Sequence, residues 1–218
     1  MPFTPVKTPK VVKSLFPNYI WNIDTLQKDI YLTFDDGPTP EITQWTLDTL
    51  AKYNAKATFF SIGTNIERYP NIFQDILKEG HSIGNHTQHH IKGWKTKTKA
   101  YLKDIEKAQT IIKSNILNSE FRIQNLFRPP YGKITPKQGK ALLEKGYNII
   151  MWDVLSYDWD KTVTKEDCLN NVISKTQNGS IVVFHDSLKA SKNMQYVLPK
   201  VLKHYTEAGY QFKSLNTF

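Results

Sequence analysis

The alternation of short apolar runs with helix-patterned segments restricts the fold of this sequence more than any other feature. Asp29-Ile30-Tyr31-Leu32-Thr33-Phe34 is a β-branched and aromatic run ended by Asp35-Asp36-Gly37-Pro38. Thr39-Pro40 then reads as a helix N-cap followed by proline at the first helical position, with Ile42, Leu47 and Leu50 behind it. Residues 57–63 read as a buried strand, those around Ile72, Phe73, Ile76 and Leu77 as a helix closed by Gly80, and 81–86 as another strand. A helix over 97–117, a strand at Leu126-Phe127, a helix near 136–145 and a buried strand over 147–152 follow. Residues 165–177 read as helix, 180–184 as strand and 193–208 as helix. Such alternation specifies an α/β protein around a mostly parallel sheet and leaves open whether that sheet closes.

At 218 residues, 39% hydrophobic and 12% aromatic, the chain has the size of one domain with a substantial core. A disordered chain and a disulfide-stapled mini-domain are excluded. The one cysteine, Cys168, cannot form an internal disulfide and carries no information on redox compartment. The first residues hold no apolar run of the roughly 7–15 that a signal peptide needs, and no run approaches the roughly 18 of a membrane span. The protein is expected either to stay inside the cell or to be exported with a leader removed.

In α/β folds, ligand sites gather at the carboxyl ends of strands. Five successive strand ends here carry chemistry: Asp35 and Asp36; His86, His89 and His90; Arg128 and Tyr131; Asp153, Asp158 and Trp159; His185 and Asp186. Adjacent carboxylates point in different directions, so Asp35 and Asp36 can divide two tasks, one on a metal and one on a proton. A capped turn before Thr39-Pro40 also accounts for them. Within His86-Thr87-Gln88-His89-His90, histidines four apart share one face of a helical turn and can converge on one ion; a carboxylate completes a set with open coordination positions. His86 with His89 is the alternative pairing, and a group of surface histidines the plainer reading. His81 and His204 read as ordinary surface or structural residues. Arg128-Pro129-Pro130-Tyr131-Gly132 is a stiff loop whose guanidinium suits bidentate clamping of a carboxylate, or a surface turn. Asp158-Trp159 offers a carboxylate to orient an imidazole beside an indole wall, or a solvated Asp beside a core Trp. His185 titrates in a range suited to a general acid or base, or is a buried structural histidine.

In order and spacing, Thr33-Phe34-Asp35-Asp36-Gly37-Pro38, His86-Thr87-Gln88-His89-His90, Arg128-Pro129-Pro130-Tyr131, Asp158-Trp159 and Val183-Phe184-His185 resemble the five motifs of the polysaccharide deacetylases, the NodB-homology family (carbohydrate esterase family 4). The match covers about residues 29–186. The resemblance implies one deacetylase domain over 1–218, with 1–28 as an N-terminal extension, folded as a distorted, incomplete (β/α) barrel. It implies metal-dependent hydrolysis of N-acetyl groups from amino-sugar polymers, peptidoglycan or chitin-type oligosaccharides. Asp36, His86 and His90 are then the ligands of one divalent metal, zinc being the usual ion. Asp35 is the catalytic base held by Arg128, and His185 the catalytic acid tuned by Asp158. The Tyr131 backbone N–H binds the oxyanion, Trp159 walls the groove and Val183 lines the acetyl pocket. Two positions depart from the family pattern. Leu155 stands where an aspartate is frequent, three residues before the Asp-Trp pair, and Val183 where leucine is usual; both bear on substrate choice.

The chain carries 29 Lys+Arg against 20 Asp+Glu, a formal +9, and residues 92–145 alone hold 13 basic residues against four acids. That surface favours an anionic partner. No nucleic-acid motif or basic repeat accompanies it, so nucleic acid is not expected. The expected partner is an N-acetylated glycan substrate, anionic cell-wall polymer included, of a protein expected to be a monomer with no membrane span. An O-acetyl xylan or a small amide as substrate, and a catalytically idle glycan-binding relative, are the alternatives. The complete set of Asp35, Asp36, His86, His90, Arg128 and His185 argues against the idle one.

Overall fold

The computed structural model of the chain describes residues 4–116 and 124–215; the last residue of the helix expected over 97–117 lies outside them. Eight strands form one sheet: β1 (Asp29–Asp35), β2 (Ala57–Ser61), β3 (Ser82–Asn85), β4 (Leu126–Phe127), β5 (Asn148–Ile149), β6 (Val154–Leu155), β7 (Ile181–His185) and β8 (Gln211–Phe212). Their order is β5-β4-β3-β2-β1-β7-β6, with β8 also on β1, and every strand pair is parallel. Parallel neighbours require crossovers, supplied by helices α2 (Ile42–Ala51), α3 (Gly63–Arg68), α4 (Pro70–Lys78), α5 (Thr98–Ser114), α6 (Pro136–Glu144), α7 (Lys165–Ile173) and α8 (Ser191–Glu207). A short α1 (Lys10–Leu15) precedes the sheet. The sheet curls into an incomplete barrel with the helices outside, as the family resemblance implies.

Side-chain alternation sorts each strand between two layers. Leu32 and Phe34 of β1, Phe59 of β2 and Phe184 of β7 face outward and pack with Leu47, Phe73 and Leu198 of the helices. The alternate residues Phe60, Leu126 and Ile181, joined by Ile150 and Leu215, fill the hollow of the curl. Towards the carboxyl ends this inner lining turns polar, through Thr33, Asp35 and His185. The N-terminal segment runs along both sheet edges: Ile20 bridges to Ile150 beyond β5, and Lys7 bridges to Val154 of β6.

Three local expectations are corrected. Helix α2 starts at Ile42, after Glu41 at φ 64°, and Thr39 does not cap it. Instead the Thr39 N–H donates to the Thr43 hydroxyl, which itself donates to buried Asp186, drawing the helix start past the proline. Helix α3 was not foreseen. The run 147–152 is not one strand: pairing ends at Ile149 with only a bridge at Ile150, and β6 begins at Val154. The carbonyls of Ile150 and Met151 accept from the Arg128 guanidinium instead of from a neighbouring strand. Asp153 therefore precedes β6 and lies at the amino mouth of the barrel, away from the other strand-end groups. There it accepts from Lys7 (2.5 Å), Lys13 (2.7 Å) and Ser180 (2.6 Å).

Asp153 thus ties the N-terminal segment to the sheet. Asp153→Ala is expected to lower unfolding free energy by about 1.5–3 kcal/mol, the worth of charge-assisted hydrogen bonds. Urea unfolding measures it.

Candidate active site and metal centre

The parallel register determines which groups meet. Asp35, the last residue of β1, stands directly beside His185, the last of β7. Thr33 and Val183 stand beside each other one pleat below, and Leu155 of β6 pairs with Val183. Val183 is buried on the same face of β7 as His185.

Beyond Asp35 the chain turns sharply, with Asp36 at φ 80°. Gly37 is confined here: its N–H donates to Asp186 at 3.1 Å, and a Cβ on it would fall 2.0 Å from the Asp186 carboxylate. Asp186, adjacent to His185, points to the opposite side of β7 and braces the Asp36 turn together with Thr43. Burial raises its pKa to about 8, and the nearby Asp36 charge adds to this. The sequence reading noted Asp186 without assigning it a task; its place next to an inward-facing His185 was the available signal.

The loop after β3 holds the histidines. It is not a helical turn: Thr87 (φ 66°) and His90 (φ 53°) both adopt left-handed backbone, and these two bends bring His86 and His90 together, their rings 5.1 Å apart. Residues in that region are costly for non-glycine side chains and are held by their surroundings. Asn85 supplies one restraint, accepting from the Thr87 N–H and donating to the Ile105 carbonyl on α5. Asp104 of α5 supplies another, accepting from the Gln88 and His89 N–H groups and bonding the His89 ring at 2.5 Å. His89 is therefore exposed and engaged elsewhere, and the His86–His89 pairing is ruled out geometrically. Neither Asn85 nor Asp104 was singled out in the sequence; Asp104 was visible only as a rare acid in a basic stretch. His81 is buried and accepts from the Ala57 N–H, a structural task, and His204 is exposed.

Asp36, His86 and His90 each present a ligand atom, all within 4.8 Å of one another. Asp36 Oδ1 lies 3.2 Å from His90 Nε2 and 3.7 Å from His86 Nε2. The Arg128 carbonyl sits 2.8 Å from His86 Nδ1, so that nitrogen carries the proton and Nε2 keeps its lone pair towards Asp36. Burial depresses the His86 pKa to about 4, keeping the ring neutral. Burial disfavours charge on Asp36, but the adjoining His90 and the cationic His185 outweigh it and hold the carboxyl well below its ordinary range. Oδ1 is buried yet has no hydrogen-bond partner. One carboxylate and two imidazoles around an unsatisfied acceptor fit a divalent ion of zinc's type with a position left open.

Beside this cluster, Arg128 is wholly buried. Its Nη1 donates to Asp35 Oδ1 at 2.8 Å and to Thr33 at 2.7 Å, Nη2 to Met151 and Nε to Ile150. The guanidinium also lies 4.1 Å from the Phe60 ring centroid. The clamp is thus single-pronged, not bidentate, and the other hydrogen bonds of the guanidinium go to backbone carbonyls and Thr33. Across the cleft, Asp158 accepts from the His185 N–H (2.7 Å) and from its Nδ1 (2.8 Å). Burial opposes charge on His185, but Asp158, aided by Asp36 and Asp35, prevails and raises its pKa to about 9. Trp159 packs edge-on to His185 at 4.7 Å and stacks on Tyr157 at 5.0 Å. On the other side Tyr131, at φ 60°, lays its ring 4.7 Å from His90.

The polysaccharide deacetylase family profile matches residues 22–150. A peptidoglycan-N-acetylglucosamine deacetylase of Bacillus cereus is 33% identical over 198 residues, 90% of either chain. The peptidoglycan-N-acetylmuramic acid deacetylase PdaC of Bacillus subtilis is 34% identical over 194 residues, 89% of this chain and 39% of that one. Among solved structures, the Bc1960 peptidoglycan N-acetylglucosamine deacetylase superposes with a TM-score of 0.85 at 32% identity, covering 95% of both chains.

The Asp186 brace makes a specific demand. Gly37→Ala should displace the Asp36 turn and weaken binding of an added divalent metal by about 10–100-fold, whereas His89→Ala should leave it unchanged. Competitive titration with a zinc indicator reads both.

Proposed function

This chain belongs to the polysaccharide deacetylase family, and we propose that it hydrolyses the N-acetyl groups of an amino-sugar polymer with a divalent metal, zinc, at Asp36, His86 and His90. The observation that carries this reading is the meeting, at one mouth of the barrel, of that ligand set with a register-paired carboxylate and cationic imidazole, Asp35 and His185.

An acetamide resists hydrolysis because water is a poor nucleophile and an amine a poor leaving group. When bound, the ion supplies Lewis acidity, polarising a carbonyl and bringing the pKa of water from 15.7 towards about 7. Asp35 is the general base. Arg128 engages its Oδ1 and fixes its orientation, leaving Oδ2 to receive the proton of the attacking water. The Tyr131 N–H, which has no backbone acceptor among the described residues, is the donor for the tetrahedral oxyanion. His185, kept cationic by Asp158, gives its proton to the departing nitrogen as the carbon–nitrogen bond breaks. Acetate and a free amine result. Trp159 and Val183 border the space for the sugar and the acetyl methyl.

Asp35→Asn should cut kcat by at least about 100-fold, the lower end for a lost general base, with zinc still bound; His86→Ala should lose both zinc and turnover. Acetate release from chitin oligomers, peptidoglycan and acetyl-xylan, with chelator and with zinc restored, checks the assignment. Release from acetyl-xylan alone, or chelator-insensitive inactivity on all three, would overturn it.

In the metal-free protein, the His185 imidazole should titrate near about 9 by NMR, and Asp158→Asn should bring it to or below the free-imidazole value of about 6.5. Because the folded pKa lies above the unfolded one, the stability from this pair is full below about pH 6.5. It is lost as pH rises through about 9.

A further inference from the structure

A second aromatic surface flanks the metal centre on the side opposite Trp159, and the mechanism above does not use it. Trp94 lies in a 3-10 turn (Gly93–Lys95) after the histidine loop and is 39% exposed, unusual for so large an apolar side chain. Its ring meets Tyr131 edge-on at 5.6 Å, and Tyr131 in turn lies against His90. The Lys92 ammonium sits 5.3 Å from the Tyr131 ring centroid, and that of Lys133 sits 5.6 Å from the Trp94 ring centroid. Cation–π contact aligns both amines on this surface but neutralises neither. Lys78 and Lys145 pair with Asp75 and Glu106, whereas Lys92 and Lys133 have no carboxylate partner among the described residues.

This surface is built, not incidental. Its two loops are clamped by buried Gln138, whose amide donates to the Gly93 and Thr96 carbonyls while its oxygen accepts from the Thr135 N–H. The loops touch so closely that a Cβ on Gly93 would lie 3.0 Å from the Lys133 carbonyl. Gln138 and Thr135 also form the capping box of α6, so the helix start and the platform hold one another in place.

We propose that Trp94, Lys92 and Lys133 form a subsite for a carboxylate-bearing sugar residue next to the N-acetylated one in the cleft. This rests on the deacetylase reading above and names the substrate class within it. The indole offers an apolar face to the sugar ring, and two aligned, unpaired ammonium groups complement a carboxylate on that ring. The same two lysines belong to the basic stretch 92–145, whose charge favours an anionic polymer.

The test compares kcat/KM for a peptidoglycan-derived tetrasaccharide with free carboxylates against neutral chitotetraose, with zinc-loaded protein at low ionic strength. The ratio, acidic over neutral, is expected to fall about tenfold in the Lys92→Gln, Lys133→Gln double variant, about 1.4 kcal/mol. A Lys99→Gln, Lys103→Gln variant, which removes the same charge from the exposed side of α5, should keep the wild-type ratio. Trp94→Ala should raise KM for both substrates. An unchanged ratio in the first variant, an equal fall in the second, or an unchanged KM in Trp94→Ala overturns the subsite. If the wild type releases acetate from neither substrate, the deacetylase reading falls. The subsite is then decided by the calorimetric Kd ratio of the same two tetrasaccharides, with the same tenfold loss expected.

Discussion

The buried Arg128–Asp35 ion pair is the interaction on which the rest of this site depends. A guanidinium with no solvent exposure is tolerable only when it is paired and its donors are occupied. Here Asp35 and Thr33 of β1 and the carbonyls of Ile150 and Met151 meet that requirement. One side chain thus ties the central strand to the segment that crosses between the sheet edges, and does so in the hollow where apolar packing gives way to chemistry. Its own backbone carbonyl orients His86. The proposed base and a proposed metal ligand are therefore positioned by the same residue, one through its side chain and the other through its main chain.

Around that pair, the site is assembled from backbone that helices and strands do not provide. Asp36, Thr87, His90, Tyr131 and Tyr157 all sit at positive φ in the loops at the carboxyl mouth. Such conformations persist only when neighbours over-determine them, and the neighbours can be named. Asp186 and Thr43 brace the first turn, and Asn85 and Asp104 lock the histidine loop. The braces are polar and mostly buried, so each carries a desolvation cost that the fold recovers only if the loop is correctly placed. Precision at the ligand atoms follows from this second set of contacts as much as from the ligands themselves.

The electrostatics divide along the same lines. Burial acts on His86 and His185 alike, disfavouring charge on both. Asp158 reverses the outcome for His185 alone, so one imidazole stays neutral and the other is protonated at neutral pH. Two chemically identical side chains at the ends of β3 and β7 acquire opposite charge states from their partners.

Much of this was legible from residues alone. Alternating runs identify a parallel α/β sheet because strand and helix periods differ, and the ionisable groups at successive strand ends locate the reactive mouth because parallel strands all end on one side. The break of 147–152 into a two-residue strand and a crossing that leads to β6 was not legible. An apolar run reads the same whichever partner takes its carbonyls, and here a distant arginine takes them. The irregular histidine loop was hidden for a like reason, since its left-handed bends are imposed by Asn85 and Asp104 and not by any local propensity. Sequence by itself determined the parallel α/β class and the identities of the groups at its mouth, through periodicity and order, and the family resemblance implied the incomplete barrel. Tertiary structure alone decided their geometry: which carboxylate faces the arginine, which histidine turns away, and where Asp153 lies. Those outcomes depend on hydrogen bonds between residues far apart in the chain, which no local pattern encodes.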